Sequence, residues 1–148
     1  FAELVWAASK ALLSGAAILL VVSLFGLVET RYVLWLLPLI FLVGLSFAAL
    51  GLIMTALAPS YDFFMYYFTL FITPMMLVSG VFFPVEQLPA TLRSATSMLP
   101  LSHAIELARP LLLGRLPDAI GLHLAVLAGY GIAAFWLALG LTRKRLLK

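Results

Sequence analysis

Four stretches of this chain, Ala11 to Val28, Val33 to Ala58, Phe63 to Phe83 and Ile120 to Leu141, are almost wholly apolar and hold no Asp, Glu, Lys or Arg. Crossing the hydrocarbon layer takes about 20 predominantly apolar residues, so each stretch is long enough to span it as a helix. A charge at the bilayer centre costs several kcal/mol, which explains why the runs exclude it. The pattern predicts an all-α membrane protein, a polytopic bundle with four spans. Between the last two spans lies a more polar insertion, residues 84–119, and after the last a short tail, residues 142–148. Pro84 and Pro89 break the third run. Ala90 to Met98 then reads as one short helix and Leu99 to Leu113 as a second, too short to span and therefore interfacial or re-entrant. In the second, Leu101, Ile105, Ala108 and Leu112 recur at helical spacing. Ser102, Glu106 and Arg109 fall on the opposite side, and His103 borders that polar stripe.

Composition bears this out. The chain of 148 residues is 65% hydrophobic and only 10% charged, against roughly a quarter charged in a soluble domain. It has no cysteine, which excludes disulfides and thiolate chemistry. The chain opens on Phe1 with an apolar stretch already under way and lacks the basic region of a signal peptide. It therefore reads as the C-terminal part of a longer protein.

The net charge of +3 gains meaning once placed. Lys10 lies just before the first run, and Arg143, Lys144, Arg145 and Lys148 follow the last. Four spans put both ends on one side, and the positive-inside rule makes that side the cytoplasm. The turn Glu29 to Tyr32 and the insertion are then external, and the turn Pro59 to Asp62 internal. Trp6 and the cluster from Tyr61 to Tyr67 would ring the inner interface, and Tyr32, Trp35, Phe82 and Phe83 the outer one, as amphipathic aromatics prefer.

Small residues recur at steps of three or four in three places: Ala7, Ala11 and Gly15; Gly44, Ala48 and Gly51; Ala125, Gly129 and Ala133. Such faces let helix backbones approach closely in lipid, within the bundle or across a dimer. Pro38 and Pro74 fall inside spans and are expected to kink them. Thr69 and Thr73, just before Pro74, are placed to re-satisfy the carbonyls it frees.

The polar residues suggest no covalent chemistry. No phosphate-binding loop occurs, because no lysine follows glycine. No HExxH motif occurs, and His103 and His123 are far apart in sequence. No catalytic, cofactor-binding or metal-ligating set is expected. Coupled carriers place an ionisable group mid-bundle, and the only one here, tyrosine aside, is His123 near the outer end of the last span. Energy for any transport would then come from outside the chain. Ser102, His103, Glu106 and Arg109 are candidates for an external gate, with Glu106 and Arg109 spaced to pair. The alternative is an interfacial helix whose ion pair solvates one face.

With those residues placed, the chain resembles the membrane subunits of ABC-2 type exporters, most of all the nodulation-factor export permeases (NodJ-type). The likeness rests on Pro59-Ser60-Tyr61-Asp62-Phe63, Ile72-Thr73-Pro74-Met75 and the run from Ser79 to Pro89. It continues through Leu99-Pro100-Leu101-Ser102-His103 and Arg109-Pro110 to the basic tail, in order along nearly the whole chain. The resemblance implies six spans in a full subunit, with these as spans three to six. The first two, and most of the coupling helix before Phe1, would be absent. It implies a pair of permeases, homodimer or heterodimer, docked on ATP-binding ABC subunits that carry the ATP and magnesium. Nucleic acid is not an expected partner; membrane lipids are. It implies export of an amphipathic lipo-oligosaccharide, polysaccharide or drug across the bacterial inner membrane, with the insertion near the exit. Tyr61 and Asp62 would lie in a loop that faces the ATPase, although Ser60 or Asp62 could simply cap the next helix. Two other readings are a membrane enzyme acting on lipid-linked substrates through Ser102, His103 and Glu106, and a non-transporting scaffold.

Overall fold

A computed structural model describes residues 1–28 and 31–147. Glu29 and Thr30 of the first expected external turn, and Lys148 of the tail, lie outside the described residues. Four helices are long and apolar enough to cross a membrane: α1 (Ala2–Leu24), α2 (Val33–Leu57), α3 (Tyr61–Val78) and, last in the chain, α6 (Ile120–Leu146). Between α3 and α6 the insertion forms a 3₁₀ turn (Val85–Gln87) and two short helices, α4 (Ala90–Thr96) and α5 (Pro100–Leu112). The four spans and both insertion helices are those the sequence predicts. Their limits differ in ways the backbone explains.

α1 starts nine residues before the expected Ala11 and ends four before Val28. At its C-terminus Gly26 takes φ +68°, with Leu27 N–H bonded to the Val22 carbonyl and Gly26 N–H to Ser23. This is a Schellman stop, which a glycine permits without a Cβ clash. Lys10 consequently lies inside the helix, not before it. Its ammonium sits 5.0 Å from the Trp6 ring, a cation–π position that keeps the charge at the helix surface. α3 stops at Val78, five residues short of Phe83, because Gly80 (φ +91°) turns the chain there. A Cβ on Gly80 would also come within 2.9 Å of Val85. α6 starts at Ile120 as expected but continues past Leu141 to Leu146, carrying its basic residues in the last turn, where cations favour the helix dipole.

α2 is the centre of the bundle, packed against α1 on one side and α6 on the other, with α5 lying across α2 and α6 at the insertion end. Its buried residues Leu36, Leu39, Ser46 and Ala49 share one face. Leu36 and Leu39 join Leu19, Leu127 and the α5 residues Ala104, Leu107 and Leu111 in one cluster; Ala49 joins Leu4 and Ala134 in another nearer the tail end. The small residues do their work where α1 meets α2. A Cβ on Gly44 would lie 3.0 Å from Ala11 and one on Gly15 2.8 Å from Ile40, so these glycines set how closely the helices approach. Ala125, Gly129 and Ala133 behave differently. All three are exposed, and α6 instead buries His123, Leu127, Ala134 and Ala138 against its neighbours.

The α2–α6 crossing holds a polar contact. The Ser46 hydroxyl, 1% exposed, lies 2.9 Å from the Leu127 carbonyl of α6 and 3.0 Å from the Leu42 carbonyl of its own helix. Gly131 faces it, and a Cβ there would come within 3.0 Å of the Ser46 oxygen and 3.4 Å of its Cα. At the tail end the Arg145 guanidinium donates to the Thr55 carbonyl at 2.9 Å, satisfying one of the last free carbonyls of α2.

The two prolines have distinct outcomes. Pro38 lies in the second turn of α2, which continues unbroken. At Pro74 the helix widens: residues Phe68–Ile72 form a π turn within α3, and the Thr73 hydroxyl donates to the Phe68 carbonyl at 3.1 Å. The Phe68 carbonyl already accepts the Thr73 N–H, so this hydroxyl bond does not replace the one lost at Pro74, and the compensation expected of Thr69 and Thr73 is not seen among the described residues. None of the α3 residues is buried.

Three substitutions, one of them a control, test the crossing by reversible unfolding of the full-length protein in detergent. Gly131→Leu is expected to destabilise by about 1–3 kcal/mol through overpacking, whereas Gly140→Ala, with open space around its Cβ, is expected to be neutral. Ser46→Ala should cost about 0.6 kcal/mol and no more than about 2. Equal stability of the Gly131→Leu and Gly140→Ala proteins would show that α2 and α6 do not meet in this register.

Candidate functional site

The insertion folds back on the bundle through α5. Its buried face is not the expected Leu101, Ile105, Ala108 and Leu112, which are all partly exposed, but Ala104, Leu107 and Leu111, with Ser102 and His103. The helix is gripped by protein on this flank, so the polar residues at its edge are drawn inward. Pro110 falls in the last turn of α5, where its carbonyl accepts the Arg115 N–H at 2.8 Å and closes the helix.

The four gate candidates separate into two pairs. Ser102 and His103 are buried, 3% and 8% exposed. Glu106 and Arg109 are exposed and border a cleft of about 320 Å³ that Glu86, Asp118 and His123 also line. The expected Glu106–Arg109 ion pair does not form. Arg109 reaches across to the Gly80 carbonyl, at the turn that ends α3. Glu106 meets His123 of α6 instead, with 3.2 Å between Oε2 and Nε2. Spacing permitted the intrahelical pair, but each side chain found a partner on a neighbouring element.

The two histidines, far apart in sequence, are in contact. His103 Nδ1 and His123 Nδ1 lie 2.6 Å apart, and His103 Nε2 lies 2.9 Å from the Ser97 carbonyl. A carbonyl only accepts, so His103 carries its proton on Nε2. A line of contacts thus runs from Ser97 through both imidazoles to Glu106, tying the turn before α5, α5 itself and α6 together. Both ring nitrogens of His103 are occupied, leaving neither for Ser102. The Ser102 hydroxyl has no hydrogen-bond partner among the described residues. Ser102 and His103 are thus not paired as nucleophile and base in this arrangement.

His123 and Gly80 join the site although neither was among the expected gate residues. His123 carried a signal, being the only non-tyrosine ionisable group in any of the four apolar runs. Gly80 carried none, since its role is a backbone carbonyl. A further link comes from the Tyr130 hydroxyl of α6, which donates to the Met98 carbonyl beyond α4.

At the tail end, Ser60 occupies the N-cap position of α3 without a side-chain cap bond, and Asp62 falls in the first turn, where an acid suits the helix dipole. Tyr61 and Asp62 are exposed. On the insertion side of α2, an apolar cavity of about 380 Å³ opens among Trp35, Pro38, Leu39, Leu107, Leu111 and Leu124.

Comparison with known proteins gives the chain its family. The family described as ABC-2 type transporter matches residues 1–113. Nodulation protein J of Sinorhizobium fredii (strain NBRC 101917 / NGR234) is 48% identical over 145 residues, 98% of this chain and 55% of that protein. Nodulation protein J of Rhizobium meliloti (strain 1021) is 47% identical over the same shares. Its counterpart in Rhizobium leguminosarum bv. trifolii is 47% identical over 99% of this chain and 56% of its own length. The chain thus spans about half the length of these relatives. No solved structure matches it. With its four apolar helices and a family match over most of its length, the chain is a multi-pass membrane protein and belongs to the ABC-2 type transporter family.

Proposed function

We propose that the chain supplies four spans of a permease subunit in an ATP-driven exporter. The observation that carries this reading is the match, over nearly the whole chain, to proteins named Nodulation protein J within the ABC-2 type transporter family. The substrate we propose is amphipathic, of the lipo-oligosaccharide, polysaccharide or drug class, moved outward across the bacterial inner membrane. A second permease copy and ATP-binding ABC subunits complete the machine, and ATP and magnesium are bound there. The helices support this division of labour: the only carboxylates in the four spans are Glu3 and Asp62, each in a first turn, so no mid-span acid is available for ion coupling. The basic tail of α6 supports a cytoplasmic tail end by the positive-inside rule. Tyr61 and Asp62 then face the ATPase side, and the insertion faces out.

In this scheme the Arg109–Gly80 link gates release, since it joins the insertion to the turn that ends α3. Arg109→Gln is expected to change ATP-driven export from vesicles by about tenfold or more, the scale set by losing one charged hydrogen bond, while permease and ATPase still copurify. Unchanged export would reduce the link to a structural tie. Flux in vesicles that lack any ATPase subunit would overturn the whole reading. A cysteine placed at Tyr61 should crosslink to the ATPase subunit. Labelling by water-soluble reagents with no crosslink would restrict Tyr61 and Asp62 to starting α3.

A further inference from the structure

The two histidines pose a problem of charge. His103 Nε2 faces the Ser97 carbonyl and His123 Nε2 faces the Glu106 carboxylate, so both outer nitrogens meet acceptors and carry the protons. The two inner Nδ1 atoms are then left with their lone pairs converging on one point, 2.6 Å apart and buried, the residues being 8% and 9% exposed. Two neutral imidazoles do not hold that approach; a positive charge between them does. Glu106, half exposed at 52%, stands beside the pair with the opposite charge, and the ligand atoms of all three side chains lie within 4.8 Å of one another.

We propose that His103, His123 and Glu106 form a binding site for a divalent transition-metal cation of the zinc type, which staples the insertion to α6. Imidazole nitrogen with carboxylate oxygen is a donor set suited to such ions. The ion sits between the two Nδ1 atoms. At zinc–nitrogen distances of about 2.0–2.1 Å in a tetrahedral shell, they must part to roughly 3.3 Å. Glu106 swings from His123 Nε2 to become the third ligand, a movement its exposure allows, and water from the adjoining cleft is the fourth. The Ser97 carbonyl then performs the outer task usual for a ligating histidine, holding the far N–H and fixing the ring. Access is through the cleft, where the Glu86, Glu106 and Asp118 carboxylates outnumber the one guanidinium of Arg109 and favour a cation over an anion. The site is independent of what the permease carries, because it lies in the contact between α5 and α6.

The test uses the full-length protein in detergent, stripped with a chelator and titrated with Zn²⁺ alone, then with Co²⁺ as a spectroscopic probe. The expected result is saturable binding of about one ion per chain, a rise in Tm, and the visible absorption of four-coordinate cobalt. His103→Gln and His123→Gln should each abolish saturable binding, and Glu106→Gln should weaken it about 10–100-fold. Because a substitution at a buried histidine can unfold the bundle, the wild-type titration decides by itself. Absence of saturable Zn²⁺ binding to the wild type, or binding that survives both histidine substitutions in folded protein, overturns the proposal and leaves a shared proton holding the pair.

Discussion

The close crossing of α2 and α6 at Ser46 and Gly131 is the constraint on which the remaining architecture depends. In lipid there is no hydrophobic force to press two apolar helices together, so association rests on van der Waals fit and interhelical hydrogen bonds. Here both come from one pair of positions. The absence of a side chain at Gly131 admits Ser46, and the Ser46 hydroxyl then reaches a backbone carbonyl of the other helix. That crossing fixes the rotation of α6, and with it the direction in which His123 points, one turn before Leu127 on the same buried face. α5 is docked against α2 and α6 together, so its position follows as well.

From that follows the character of the insertion. It is not a polar cap floating at the interface. Leu107 and Leu111 are part of the main apolar cluster, and His103 is buried within reach of α6. Within α5 only Glu106 and Arg109 are exposed, and each is committed to an element other than its own. The insertion thus bridges α6 and the end of α3, two segments that otherwise have little holding them together.

Much of this was legible beforehand, and the exceptions have physical causes. The four charge-free runs and the two proline-bracketed helices of the insertion follow from the cost of charge in hydrocarbon and from proline geometry. The ends of α1 and α3 did not, because glycines at positions 26 and 80 stop the helices while the sequence remains apolar beyond them. The start of α1 was hidden by Lys10, whose long side chain lets the helix carry a charge within its length by laying it over Trp6. The lipid-facing pattern of α5 was read as if only lipid and water surrounded it, but protein on one flank rotated the buried face towards Ala104, Leu107 and Leu111. The histidine contact depends on how α5 packs against a helix whose histidine lies twenty positions further on, which no local spacing encodes. The exposed Ala125, Gly129 and Ala133 show the converse limit: a small-residue face declares that something can approach closely, not which neighbour does.

The π turn in α3 has a consequence for how that helix is addressed. An α-helix advances about 100° per residue, and a π turn inserts roughly one residue into that count. The stripe that runs up one side of Tyr61–Tyr67 therefore does not continue up the same side of Thr73–Val78. Helix-wheel reasoning applied to the whole of α3 would assign residues to the wrong face beyond Phe68. Its two halves look out at different angles, so this span, which buries nothing against its own chain, can answer to one neighbour near the tail end and to another near the insertion.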